Sequence, residues 1–267
     1  MSHAEPFTRI HEVVALQAQQ RPDAICLYEE GGGTLTYAQL WQRVQAVAGW
    51  LRDQGMQPGH RVLMVGENCT AMIAALFGCG LAGAWPVGVN ARLSAREVDN
   101  IRLHAQPELL LYTTDVSSAA AAHAGAAGAQ DADPAVWGPG VQAVRAATPT
   151  QAEGGDLAAD VATVIYTSGT TGAPKGVMVP HRGLLHFARV SAASRRLTPH
   201  DIGYAALPMS HIFGIATVLM ATVHAGASLV LRSRFDAEDA FKALAHPGVS
   251  ILQLSLIHIS EPTRPER

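Results

Sequence analysis

The stretch 166-YTSGTTGAPKGV-177 lies between two apolar runs, VATVIYT at 161–167 and VMVP at 177–180. Runs this rich in β-branched residues read as strands, and the segment joining them reads as a turn. Its composition exceeds what reversing the chain requires. Thr167, Ser168, Thr170 and Thr171 supply four hydroxyls, Gly169, Gly172 and Gly176 let the backbone come close to a ligand, and Lys175 adds a cation. Hydroxyls, bare backbone N–H groups and an ammonium converging on one volume make a receptor for phosphate. The plainer alternative is a glycine-rich hairpin turn with Lys175 solvated.

Two familiar phosphate loops do not fit. A Walker A loop needs glycine directly before its lysine and Ser/Thr directly after it, whereas Pro174 precedes Lys175 and Gly176 follows. No GxGxxG fingerprint of a dinucleotide site is present either.

Working outward, short β-rich runs recur: AICLYEE, RVLMVG, AWPVGV, ELLLYT, GVMVP, GYAAL, ASLVLR and VSILQL. The first is expected to form a hairpin with the next strand through Gly31, Gly32 and Gly33. Thr36 with Gln39, and Ser94 with Glu97, have the spacing of capping boxes, and Thr198 before Pro199 predicts a third helix start. Alternating strands and helices predict an α/β fold of layered mixed sheets flanked by helices. Residues 116–160 interrupt that rhythm, being Ala/Gly-biased and poor in large apolar groups. They are expected to form a surface helix and a mobile connection.

With 48% hydrophobic residues in 267, a substantial core can form. A net charge of -3 provides no basic field, so nucleic acid is not an expected partner. Cys26, Cys69 and Cys79 form no CxxC pair, and an odd count leaves a thiol free, which suits a reducing, cytoplasmic location. The segment MSHAEPFTRIHEVV has neither the basic nor the apolar region of a secretory signal. Residues 68–91 and 202–231 reach the length of a membrane span, but each is broken by Gly, Pro or His. Each is expected to divide into helix, turn and buried strand, so no membrane span is expected.

Two histidine-bearing segments stand out. His211 sits in the apolar segment LPMSHIFG, where a packed core histidine and a site residue are both open readings. His181 and His186, five apart in PHRGLLH, do not share a helix face as an i, i+4 metal pair would, so packing or capping roles are expected and no metal ligands are assigned.

The segment YTSGTTGAPKGV resembles the phosphate-binding signature of the adenylate-forming superfamily, which includes acyl-CoA and aryl-CoA synthetases, luciferases and peptide-synthetase adenylation domains. The stretches 35–68, 80–112 and LPMSHIFG agree with that family in order and spacing. The resemblance implies activation of a carboxylic acid with ATP and Mg2+ to an acyl-adenylate, followed by displacement of AMP by the thiol of coenzyme A. Carried over residue by residue, it implies that Thr167, Ser168, Gly169, Thr170, Thr171 and Gly172 wrap the β- and γ-phosphates. Lys175 then neutralises the departing pyrophosphate, His211 orients the carboxylate, and Phe213 and Gly214 shape the pocket wall. A sister reading is an adenylation module serving a carrier-protein thiol, and a non-catalytic nucleotide-binding remnant is the reading from another class.

The same resemblance predicts the domain organisation. Residues 1–253 correspond to part of an N-terminal AMP-binding domain, comprising 1–115, the connection 116–160 and the phosphate-loop part 161–253. Residues 254–267 resemble no family segment and read as an artefactual tail. The family's adenine, ribose and magnesium motifs and its C-terminal domain have no counterpart in this sequence. A polypeptide without them is expected to be almost inactive, and its oligomeric state is not legible.

Overall fold

The computed structural model describes residues 7–148, 150–168 and 174–254. The chain begins with α1 (Ile10–Gln20), β1 (Ile25–Tyr28), β2 (Thr34–Thr36), α2 (Tyr37–Asp53), β3 (Arg61–Gly66), α3 (Thr70–Ala82) and β4 (Trp85–Asn90). It continues through α4 (Ala95–Ala105), β5 (Leu109–Thr113), α5 (Ser118–Ala127), β6 (Gln130–Asp131), α6 (Pro134–Trp137), β7 (Val141–Arg145), α7 (Gly155–Asp160), β8 (Val161–Ser168) and β9 (Pro174–Pro180). The rest comprises α8 (His181–Ser194), β10 (Ile202–Ala205), a π-helical turn (Gly214–Met220) leading into α9 (Ala221–Ala225), β11 (Ser228–Leu231), α10 (Ala237–Ala245) and β12 (Ile251–Leu252).

The strands form two mixed sheets, β12-β10-β11-β1-β2 and β6-β7-β5-β3-β4-β8-β9. Successive side chains of a strand point to opposite faces, and here both faces of the larger sheet are covered. Val62 and Met64 of β3 pack with α2 and α3, while Leu63 and Val65 pack on the other side with residues of α4 and α5. The largest core joins β1, β10 and β11 to α1, α2, α3, α8 and the π-helical turn, so those helices form a middle layer between the sheets. On the far face of the smaller sheet, Tyr204 and Val230 pack on Ala240 and Ala243 of α10. This layering is the expected α/β architecture. Squeezed between two sheets, α3 is apolar on nearly all sides, as a helix with no solvent face should be.

Local signals explain much of this. β1 and β2 form the expected antiparallel hairpin. Thr36 and Ser94 cap α2 and α4 through reciprocal bonds with Gln39 and Glu97. The stretches 68–91 and 202–231 divide into helix and buried strand, and among the described residues no helix is long and apolar enough to cross a membrane.

Two expectations need correction. Thr198 starts no helix: its N–H and hydroxyl both bond Asp201 Oδ2, at 2.7 and 2.9 Å, closing a turn because β10 begins at Ile202. Residues 116–160 are not merely a helix and a connection. β7 pairs antiparallel with β5 over five residues, from Leu109↔Arg145 to Thr113↔Val141, and β6 adds to its outer side. The helix expected there is α5, and Ala120 and Ala124 bury its one packed face. Residues 1–6, 149, 169–173 and 255–267 lie outside the described residues, and with them most of the expected non-family tail.

Candidate functional site

β8 and β9 form an antiparallel hairpin whose register pairs Tyr166 with Gly176, Thr167 with Lys175 and Ser168 with Pro174. Thr167 and Lys175 are exposed and face each other at the neck of the loop. Gly169, Thr170, Thr171 and Gly172 lie outside the described residues, as does the side chain of Ser168. Below the neck, Tyr166 Oη is 2.7 Å from His104 Nδ1, and the two rings meet edge to face at 5.6 Å. Burial pushes the Tyr166 phenol above its ordinary range, so it stays protonated. The hairpin is anchored by Thr163, whose hydroxyl bonds Pro86 O of β4 at 2.9 Å.

The carboxyl ends of β4 and β10 open onto a cleft of about 1040 Å³ between the two sheets. Tyr166 lines it from the hairpin, His211 and Phe213 from the segment after β10, and Phe235 from the segment before α10. Two glycines seat the 207–214 segment. A Cβ on Gly88 would stand 3.1 Å from Ser210 Cα, and one on Gly214 would stand 2.2 Å from Pro208 O. Gly214 is thus buried behind the cleft wall as the first residue of the π-helical turn, while Phe213 is half-exposed on the wall.

His211 is exposed, so the packed-core reading of this histidine does not apply. The Phe213 N–H donates to His211 Nδ1 at 3.2 Å, which leaves the proton of a neutral imidazole on Nε2. A side chain with that tautomer is a hydrogen-bond donor toward an anion.

Two residues that sequence reasoning missed hold this arrangement. Asn68, buried after β3, donates through Nδ2 to Ala205 O at 3.1 Å and Leu207 O at 2.9 Å, and accepts from Met209 N–H at 2.8 Å. Its neighbour Glu67 is also buried and receives Arg92 at 3.1 Å and Arg234 at 3.3 Å on the same oxygen. Both arginines line the cleft, one following β4 and the other following β11. The available signal was the polar pair Glu67-Asn68 directly after an apolar strand, at the carboxyl end where α/β sheets bind ligands.

His181 is buried, and its Nδ1 accepts the first N–H of α1, from Ile10, at 3.3 Å. His186, in α8, is exposed, so the packing role expected for it is not found. Among the described residues no group of three His, Cys, Asp or Glu could hold a metal ion.

The pattern of the AMP-binding enzyme family matches residues 14–255. A feruloyl-CoA synthase from an Amycolatopsis species is 32% identical over 245 residues, covering 88% of this chain and 46% of that protein. The probable non-canonical nonribosomal peptide synthetase CymA of Salinispora arenicola is 34% identical over 253 residues, covering 92% of this chain and 3% of its own length. Among solved structures, ATP-bound MatB from Rhodopseudomonas palustris superposes with a TM-score of 0.70 at 25% identity, over 91% of this chain and 48% of that one. The chain therefore spans about half the length of the feruloyl-CoA synthase and of MatB.

Proposed function

The chain belongs to the AMP-binding enzyme family, and from that premise we propose that it carries the triphosphate-holding part of an AMP-forming acid–thiol ligase. In the first step a substrate carboxylate oxygen attacks the α-phosphorus of ATP. The bond to the β-phosphate breaks, and pyrophosphate leaves with its electron pair. In the second step the thiol of coenzyme A displaces AMP to give a thioester. Phosphoryl and nucleotidyl transfers of this kind depend on positioning and charge neutralisation more than on covalent work by the protein.

One observation carries the reading: the hairpin register sets Lys175 opposite Thr167 at the neck of a loop rich in glycine and hydroxyls, beside a cleft lined by His211. In this reading Thr167, Ser168, Gly169, Thr170, Thr171 and Gly172 cradle the β- and γ-phosphates. Lys175 neutralises the charge that develops on pyrophosphate, a contribution of about 3 kcal/mol for one preorganised donor. His211 donates from Nε2 to the carboxylate and keeps its attacking oxygen in line. Phe213 forms the wall against the acyl group, with Gly214 allowing the wall its close seat. Mg2+ would accompany ATP as a hard cation that prefers phosphate oxygens. It would supply charge neutralisation on the phosphates.

Aromatic side chains on the cleft wall, Tyr166, Phe213 and Phe235, and the likeness to a feruloyl-CoA synthase favour an aryl carboxylic acid as substrate. The likeness to CymA supports a second reading, in which a carrier-protein thiol takes the acyl group in place of coenzyme A. A cytoplasmic location suits three cysteines that are all free.

Acid-dependent ATP–pyrophosphate exchange by the complete gene product, run over a panel of aryl and aliphatic acids, tests the first step. The expected result is exchange with aryl acids that falls about tenfold or more in Lys175→Ala. Exchange at the wild-type rate in that variant would overturn the role of Lys175. Product release that ignores coenzyme A but needs a carrier protein would select the second reading.

A further inference from the structure

β9 is the last strand of the larger sheet, and among the described residues β4 holds the other side of β8 at two positions, Val87↔Val164 and Gly88↔Ile165. The hairpin register continues past Ile165 through Tyr166↔Gly176, Thr167↔Lys175 and Ser168↔Pro174. These three pairs overhang the sheet and carry Thr167 and Lys175 out to the neck of the loop. A two-stranded ribbon is marginally stable by itself in water, so the position of this end depends on what its side chains touch.

Tyr166 supplies that contact. Side chains alternate along a strand, so Tyr166 lies on the face opposite to Thr167 and Lys175 and leaves both free to meet a ligand. Its ring covers Gly176 across the ribbon: a Cβ there would stand 3.1 Å from Tyr166 Cζ and 3.2 Å from its Oη. Beyond Gly176 the hydroxyl reaches His104 Nδ1 of α4 at 2.7 Å, with the two rings edge to face. Among the described residues this is the one side-chain hydrogen bond made by Tyr166, Thr167 or Lys175. The helix at its other end is firmly seated. Ser94 and Glu97 cap α4, and Val98, Ile101 and Ala105 bury its inner face against the sheet.

We propose that Tyr166 and His104 are positioning residues for the phosphate loop: the bond between them ties the overhanging end of the hairpin to α4 and so fixes where Lys175 meets the triphosphate. This rests on the phosphate-holding role proposed for Thr167 and Lys175, while the strut itself can be read without nucleotide. Both residues act through the backbone of the hairpin.

Three variants of the 15N-labelled chain test this. Tyr166→Phe keeps the ring on the cleft wall and removes the hydroxyl, His104→Ala removes the acceptor, and His104→Asn places Oδ1 where Nδ1 stood. His104 is exposed and Tyr166 half-buried, so folding is retained. Without nucleotide, the backbone order parameters of Thr167, Lys175 and Gly176 should fall from about 0.85 toward 0.6 in Tyr166→Phe and His104→Ala, and recover in His104→Asn. Mg-ATP affinity should weaken about three- to fivefold in the first two variants, the value of one partly exposed hydrogen bond, and recover in His104→Asn. Combining Tyr166→Phe with His104→Ala should cost no more than either change alone, because both remove the same bond. Unchanged order at the three residues in Tyr166→Phe and His104→Ala would overturn the strut. Lost order with unchanged ATP affinity, or additive losses in the double variant, would overturn its positioning role. A wild-type chain whose hairpin is ordered but takes no ATP would instead overturn the phosphate-holding reading, and the positioning role with it.

Discussion

Replacing Asn68 by leucine keeps its approximate volume and removes every polar atom it offers the segment after β10. Three hydrogen bonds are lost at once: Leu207 O and Met209 N–H, bonded at 2.9 and 2.8 Å, are left without a partner, and Ala205 O, bonded at 3.1 Å, keeps only the Arg232 N–H at 3.2 Å. All lie in buried surroundings, with Asn68 itself 4% exposed, so water does not replace the lost bonds. At about 1 kcal/mol net per bond, rising toward the desolvation cost where a group stays orphaned, the loss should be about 3 kcal/mol. Urea denaturation should show the midpoint falling with unchanged slope. Hydrogen exchange at Met209 should speed up by about two decades, the same free energy read locally. Because this residue reaches the cleft only through the 205–209 backbone, acid affinity should suffer more than ATP affinity. A stability change under about 1 kcal/mol with Met209 still protected would refute the view that Asn68 holds the cleft wall.

Other consequences can be checked independently. Burial, with Arg9 and His11 nearby, pushes the His181 imidazole down to about 4 from 6.5. The unfolded chain then binds more protons between those values, so stability should fall as pH drops through that window, by up to about 3 kcal/mol at its lower end. His181→Gln, which retains an acceptor for Ile10 N–H, should flatten that part of the difference in urea midpoints, and an unchanged slope would argue against a buried neutral imidazole. Burial also pushes the Cys26 thiol up to about 12 and Cys69 up to about 11, and raises Cys79. A thiolate-selective reagent at pH 8 should therefore modify the native protein at least about a hundredfold more slowly than the urea-unfolded chain; fast labelling of native protein would contradict this packing. Gly214→Ala must drive a Cβ into Pro208 O, so it should cost about 2–3 kcal/mol in urea unfolding, whereas a neutral effect would mean that the segment seats differently.

How much of this was legible in the sequence follows from which interactions are local. The β8–β9 hairpin was readable because its apolar runs and its turn chemistry are contiguous. The caps on α2 and α4 were readable because each is completed within four residues. β7 was not, because its five residues are mostly half-buried at the outer part of a sheet, and VQAVR carries little apolar signal. The role of Asn68 was hidden by distance, its partners lying 137 to 141 residues further along the chain. Glu67 was hidden in the same way, since Arg234 reaches it from the other sheet. Thr198 misled because the hydroxyl-and-carboxylate pair that opens a helix also closes a turn, and only the strand at Ile202 decides between them.

The most direct test of the central claim is a titration of the 15N-labelled chain with Mg-ATP and, separately, with AMP, followed at the backbone amides. A cradle for the triphosphate predicts saturable shifts concentrated in residues 167–175 with ATP, nearly none there with AMP, and an ATP affinity about tenfold weaker in Lys175→Ala. ATP shifts that gather elsewhere while the hairpin stays silent, or equal affinity in that variant, would contradict it.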